Sequence, residues 1–312
     1  MDSSVFSAEF VAALVTGAIL AGMPLLLAAL GETISEQAGL LDIGLEGTML
    51  LGAYAGFVVT NWSGSYWVGF LAAVLVGMAV NLLMVIFCVR MGRDQVVVGI
   101  AILLSMEGLT SLLHAAQFGT TYPRLDGVPT VAIPGLCRIP VIGPSLFSQP
   151  LIVYIGFALV FVVGWMLYKT NLGLQIRAAG WKPVALDNAG VDVARIRTIA
   201  SLMTGALAGL GGGYMAIVTA GIFVPFMTGG LGFIAIVIAM LGRGRPAWVF
   251  VGSLLFGVAL SIATALQLVG INVPTDVVQM LPFIVVIAAL ALFARRSYLP
   301  AALGTPFARG RR

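Results

Sequence analysis

The sequence predicts an all-α polytopic membrane protein of about nine transmembrane helices, some of them interrupted, with one short helix outside the bilayer on the cytoplasmic side. Three observations carry this expectation. Hydrophobic residues make up 60% of the 312-residue chain and charged residues 9%, with a mean hydropathy of +1.09; a water-soluble domain carries about 25% charge. Apolar runs of about 20 residues, the length that crosses a hydrocarbon core, recur from end to end. Lys and Arg gather in alternate connections, fourteen in one set and only Arg124 and Arg138 in the other.

The runs fall at 10–30, 42–60, 67–89, 96–116, 150–168, 198–218, 222–242, 247–268 and 277–294. The first ten residues hold no Lys or Arg. They lack the basic flank of a cleaved signal peptide, so the N-terminus is expected to be retained. The basic set comprises Arg90 and Arg93; Lys169, Arg177, Lys182, Arg195 and Arg197; Arg243 and Arg245; and Arg295, Arg296, Arg309, Arg311 and Arg312. By the positive-inside rule these face the cytoplasm together with the C-terminus, and nine spans leave the N-terminus outside. Topology therefore accounts for the net charge of +4, and no nucleic-acid partner is expected. Cys88 ends a span and Cys137 lies in a loop on the opposite side, so no disulfide is expected. The external connection 117–149 carries Pro123, Pro129, Pro134, Pro140 and Pro144, which favours extended or turn-like backbone. It serves either as a lid or as a surface for an extracytoplasmic partner.

Ser201, Gly205, Gly209 and Gly213 recur every four residues in the sixth run, as do Gly52 and Gly56 in the second; small residues at this spacing let helix backbones approach. The GLGGG stretch at 209–213 is therefore read as packing. No strand precedes it, and no P-loop occurs anywhere in the chain.

Polar residues at membrane depth mark candidate pathways. Residues 31–47 combine Glu32, Glu36, Asp42 and Glu46 with four glycines and no basic residue. Such a stretch predicts a broken helix lying against protein or a water-filled cavity. A second break is predicted at 225–232, where Met227 and Thr228 precede a glycine pair; paired breaks in two halves of a chain point to a transport path. Asp42, Glu46, Glu107, Met227 and Thr228 are the candidate pathway residues. Glu107 and His114, seven residues apart, share a helical face; each either faces a cavity or is satisfied by a neighbouring helix. One His and two remote Cys cannot build a metal site, and no nucleophile stands beside an activating base. Neither metal, cofactor nor catalysis is expected.

The longest polar run between apolar spans is Tyr168–Thr198. At its centre Pro183 suits a first helical position and Gly190 the position just past a helix end, with Trp181 or Lys182 at the entry. The result is a rod about 10 Å long, with Ala185, Leu186 and Ala189 on one face and Asp187 and Asn188 elsewhere. Such a helix either docks into a groove on a partner or is an ordinary solvated connection.

Four stretches taken together resemble the permease subunits of bacterial ABC importers of the branched-chain amino acid and ribose type, with most likeness to nucleoside-uptake permeases. They are GETISEQAGLLDIGLEGTMLLGAY at 31–54, IPGLCRIPVIGPSLFSQP at 133–150, LGLQIRAAGWKPVALDNAGVDVARIR at 172–197 and FVPFMTGGLGFIAIVIAMLGRGRP at 223–246. The resemblance covers most of the chain. It implies that residues 180–190 form a coupling helix seated on a separate ATP-hydrolysing subunit, with Gly180, Pro183, Ala185, Ala189 and Gly190 at the pattern's positions. It also implies two ATP-binding subunits, a second permease of similar fold, an extracytoplasmic substrate-binding protein, a lipid bilayer that is the bacterial inner membrane, and as solute a nucleoside or purine-like compound or, failing that, a pentose or other simple sugar. The sequence departs from the family pattern at Asp42, where Asn is common, and at Leu231, where a polar residue is common. A different class of function remains open: a secondary transporter using Asp42, Glu46, Glu107 and His114 as a proton relay.

Overall fold

The computed structural model describes residues 8–132, 142–268 and 299–307, with 280, 284, 287, 288 and 291. Cys137, Arg138, the basic tail residues and nearly all of the ninth expected span lie outside the described residues.

Helix α1 (Ala8–Gln37) runs seven residues past the expected end at 30. Glu32 and Glu36 do not break it, because their side chains are buried against protein and never meet lipid. Gly39 stops it. At φ +85° this glycine adopts the left-handed backbone of a Schellman cap, in which Leu40 N–H donates to the Ser35 carbonyl and Gly39 N–H to that of Glu36. The predicted first break is thus confined to residues 38–44.

Helix α2 (Leu45–Ser63) follows and ends at Gly64. Helix α3 (Tyr66–Met84) continues as a π-helical turn over Val85–Arg90. Helix α4 (Gln95–Phe118) is capped by Asp94, whose carboxylate accepts from Val96 and Val97 N–H. The connection after α4 holds more structure than its prolines predict. Strands β1 (Thr130–Ala132) and β2 (Ser148–Pro150) pair antiparallel around a short helix α5 (Ile142–Phe147). Ser145 Oγ of α5 donates to the Ala12 carbonyl of α1, fastening this connection to the bundle.

Helix α6 (Leu151–Lys169) leads to α7 (Asn171–Trp181), a helix in the polar run beyond the one expected at its centre. Thr170 caps α7 by accepting from Gly173 N–H. The short α8 (Pro183–Asn188) has Lys182 at its N-cap and Pro183 in its first turn, as expected. Helix α9 (Val193–Tyr214), capped by Asp192, ends in a second π-helical turn over Met215–Ala220. The run at 222–242 is not one span. Residues 221–230 leave the helical conformation, with Gly221, Phe226, Gly229 and Gly230 all at positive φ, and only α10 (Leu231–Gly242) is helical. Twelve residues rise about 18 Å, short of a bilayer core. Helix α11 is Pro246–Leu268.

Among the described residues, five helical stretches are long and apolar enough to cross a membrane: Leu14–Gln37, Tyr66–Arg90, Gln95–Phe118, Leu151–Lys169 and Val193–Ala220. With the shorter apolar helices between them they make an all-α polytopic membrane fold. Helix α9 is its axis, packed by α1, α2 and α3, while α11 lies along α1 and α4 rides on the outside of α2. The outward faces are apolar, with Leu104 and Leu112 of α4 and Phe161 and Trp165 of α6 all more than 60% exposed. This is the reverse of a water-soluble surface.

The small-residue stripes make the axis possible. A Cβ on Gly209 would overlap the Ala73 carbonyl oxygen, and one on Gly52 would lie 2.6 Å from Gly209 Cα. The triple glycine faces three helices at once: Gly211 approaches Pro24 of α1, Gly212 Met49 of α2 and Gly213 Ala73 of α3. Gly77 of α3, which the spacing did not single out, meets Gly205 and Gly209 just as closely.

Candidate functional site

The two breaks meet in space, and Glu46 joins them. It stands in the first turn of α2, directly after the first break. Its carboxylate reaches the start of α10, directly after the second: Gly230 N–H donates to Oε1 at 2.8 Å and Gly232 N–H to Oε2. A helix start presents unpaired N–H groups and the positive end of its dipole, so a buried carboxylate there is matched in both respects. Gly232 is obligatory for this approach, since a Cβ would lie 2.6 Å from Glu46 Cα. Thr228 is buried and Met227 half-buried at the same junction, with Met227 packed against the cluster formed by Tyr54, Phe57 and Phe223.

Asp42 lies within the first break and is fully enclosed. Asn81 of α3 donates to its Oδ2 at 2.7 Å and to the Ser201 carbonyl of α9 at 2.9 Å, while accepting from Thr48 of α2. The Asp42 N–H in turn donates to Glu32 Oε1. One asparagine thus ties four parts of the chain together. It was legible as the lone amide inside the run 67–89 and was passed over.

Glu107 is half-buried on α4. His114, one face along, is buried and stacks on Tyr122 with ring centroids 5.0 Å apart, and Phe118 and Phe223 complete its surroundings. It packs as an aromatic ring. Tyr122 belongs to the connection between α4 and β1, which is also held by the hydrogen bond from Leu125 N–H to the Gly221 carbonyl.

At the other end of the bundle stands the polar segment. The grouping of Ala185, Leu186 and Ala189 on one face needs correction: Leu186 is buried in the main core, whereas Ala185, Ala189, Asn188 and Val184 are exposed, Val184 by 60%. Consecutive helical residues lie about 100° apart, so Leu186 anchors α8 while Ala185 turns outward. Asp187 and Trp181 are half-buried, Lys182 is exposed, and Gly190 closes the helix at φ +81°. Gly180, the penultimate residue of α7, is pressed against the backbone of the first break. A Cβ there would overlap the Gln37 carbonyl oxygen and lie 2.9 Å from Gly39 N. The connection between α10 and α11 closes on the end of α1, where a Cβ on Gly244 would meet the Gln37 side chain, and on the end of α6, with Tyr168 Oη donating to the Gly244 carbonyl and Arg177 lying 5.0 Å over the Tyr168 ring. Polar segment, first break and second break thus form one chain of contacts, backbone against backbone at Gly180 and through the Glu46 carboxylate at Gly230 and Gly232.

Residues 14–290 match the model of the branched-chain amino acid transport system permease component family. The chain belongs to this family. Similar proteins include a putative glucose ABC transporter permease protein, TsgC13, of Haloferax volcanii, 36% identical over 83% of this chain and 78% of its own length. The guanosine ABC transporter permease protein NupQ of Bacillus subtilis is 32% identical over 97% and 99%. The nucleoside ABC transporter permease protein NupC of Lactococcus lactis is 30% identical over 94% and 96%. Each of these organisms supplies a second, more distant relative named for the same solute, at 25–27% identity. The protein is therefore an ABC transporter permease, a membrane transport subunit.

Proposed function

We propose that this permease forms one half of the translocation pathway of an importer for a nucleoside or a simple sugar, driven by ATP hydrolysis in separate cytoplasmic subunits. The observation that carries the reading is the unbroken contact from α8 through Gly180 to the first break, and from Glu46 to the second. A push on α8 reaches the first break through the backbone contact at Gly180 and the second through the Glu46 carboxylate and the close approach of Gly232 to Glu46 Cα. Rigid movement of packed helices about such breaks is how alternating access works in membrane transporters. In this reading α8 faces the cytoplasm, the external connection meets an extracytoplasmic substrate-binding protein, and a second permease completes the pathway. The paired relatives support that second permease, and the apolar outward faces of α4 and α6 leave room for it and for the inner-membrane lipid.

The exposed face of α8 is the test. In the complex reconstituted with its ATP-binding subunits, Val184→Asp with Ala185→Asp should lower both uptake and solute-stimulated ATP hydrolysis at least tenfold, with insertion unchanged. Leu186→Asp should instead lower the yield of folded permease, because it buries an unpaired charge. Uptake unaltered in the double variant would sink the coupling role. A cysteine placed at Lys182 should react with an impermeant reagent in inverted vesicles and not in intact cells.

The solute can be ranked by competition. Guanosine, adenosine, uridine, ribose and glucose are offered unlabelled against a labelled nucleoside, and nucleosides should compete best. A proton relay through Asp42 and Glu46 would make uptake collapse with a protonophore. Here Glu46 is bound to two backbone N–H groups and Asp42 to Asn81, so uptake should persist while ATP is maintained.

A further inference from the structure

The segment at 299–307 lies far from α8 in sequence and beside it in space. Ala302 N–H donates to the Gly180 carbonyl at 2.9 Å, and Gly304 N–H donates to the Gly39 carbonyl at 3.2 Å. Arg197, in the second turn of α9, secures both. Its Nε donates to the Ala38 carbonyl at 3.1 Å and its Nη1 to the Thr305 carbonyl at 2.9 Å, with the guanidinium buried and Nη2 packed where a Cβ on Gly39 would come within 2.9 Å. Further on, Pro306 approaches Gly92 in the turn between α3 and α4. A strap of a few residues therefore crosses two connections and the end of α7 at one end of the bundle, held by main-chain bonds that are indifferent to its side chains.

The strap and α8 share a surface. An open concavity of about 540 Å³ is walled on one side by Lys182, Val184 and Asn188 and on the other by Ala301, Ala302 and Thr305. A partner seated on the exposed face of α8 cannot avoid the strap.

We propose that residues 300–305 and α8 form one composite docking surface for the ATP-binding subunit, and that Arg197 is the positioning residue that holds its two parts in register. The inference rests on the assignment of α8 as the coupling helix and adds to it a second contact region and its fastening. The ATP-binding subunit then grips α8 and, through the strap, the first break itself. The push is delivered at two points that Arg197 keeps from sliding apart. Arginine suits this role: its planar fork reaches two carbonyls on different segments, which the single ammonium of a lysine cannot hold in fixed geometry.

The experiment uses the whole reconstituted complex. A photoreactive phenylalanine analogue at position 301, whose alanine is exposed, should cross-link to the ATP-binding subunit on illumination. Ala302→Pro removes the N–H that binds Gly180 and should lower solute moved per ATP hydrolysed about fivefold or more. Arg197→Met should do the same. A purely structural lesion would lower uptake and hydrolysis together and leave the ratio intact. If position 301 yields no cross-link while position 184 does, or if the ratio is unchanged in both Ala302→Pro and Arg197→Met, the composite surface is wrong and the coupling role of α8 stands. If position 184 also yields none in a transporting complex, the coupling assignment falls and this inference with it.

Discussion

Replacing Glu46 with alanine should abolish uptake, by at least a hundredfold, in a permease that still inserts and still binds its partners. The carboxylate accepts from Gly230 and Gly232 N–H across 184 and 186 residues of sequence, and its removal strands one buried and one partly buried donor. Each costs about 1–3 kcal/mol, and the start of α10 also loses its compensating charge, worth about 0.3–1 kcal/mol or more when buried. Their sum is enough to release α10 from α2. Glu46→Gln offers one acceptor oxygen for two donors and should fall between. Hydrogen exchange at Gly230 and Gly232, measured beside uptake, ties the lost transport to this junction, because both amides should exchange faster in the variants. Wild-type uptake in Glu46→Ala would refute the idea that the two breaks must be joined.

Gly209→Leu should prevent the bundle from assembling. The new side chain would begin inside the Ala73 carbonyl oxygen and stand 3.0 Å from Gly77 Cα. These atoms are backbone and cannot turn aside. Overpacking costs about 1–3 kcal/mol where side chains can shift, and here they cannot, so the expected loss exceeds about 3 kcal/mol. It should appear as absence of monodisperse protein in detergent, with Gly209→Ala milder but still well below wild type in melting temperature. Gly108→Leu supplies the contrast. Nothing lies within 4 Å of its Cβ position on the outer face of α4, and its effect should stay within about 0.5 kcal/mol. Equal damage from both substitutions would show that the stripe of small residues on α9 is not the close-packed axis.

The residues most legible in advance were those whose signal is local. Pro183 and Gly190 bounded α8 because one fixes φ and the other tolerates a positive one. Gly205 and Gly209 announced a close helix contact by spacing alone. Arg197 read only as one more basic residue at a span end, because nothing near it in sequence reveals that it binds Ala38 and Thr305 from 159 and 108 residues away. Leu186 shares a predicted face with Ala185 and Ala189 yet is buried apart from them, because a six-residue helix offers too few positions for periodicity to orient it. Glu32 and Glu36 suggested an early end to α1, since acids are costly in lipid, yet they are covered by protein and the helix continues through them.

The composition and the order of apolar runs settled by themselves that the chain is a helical membrane protein and where most of its helices lie, since the cost of moving each side chain out of water is a property of that residue and its immediate neighbours. The tertiary structure alone decided that Glu46 is a staple between two breaks, that Asn81 holds Asp42, and that the residues around 302 lie against Gly180. Those roles depend on which distant backbone groups arrive within hydrogen-bonding reach, and that is set by how the helices pack around α9.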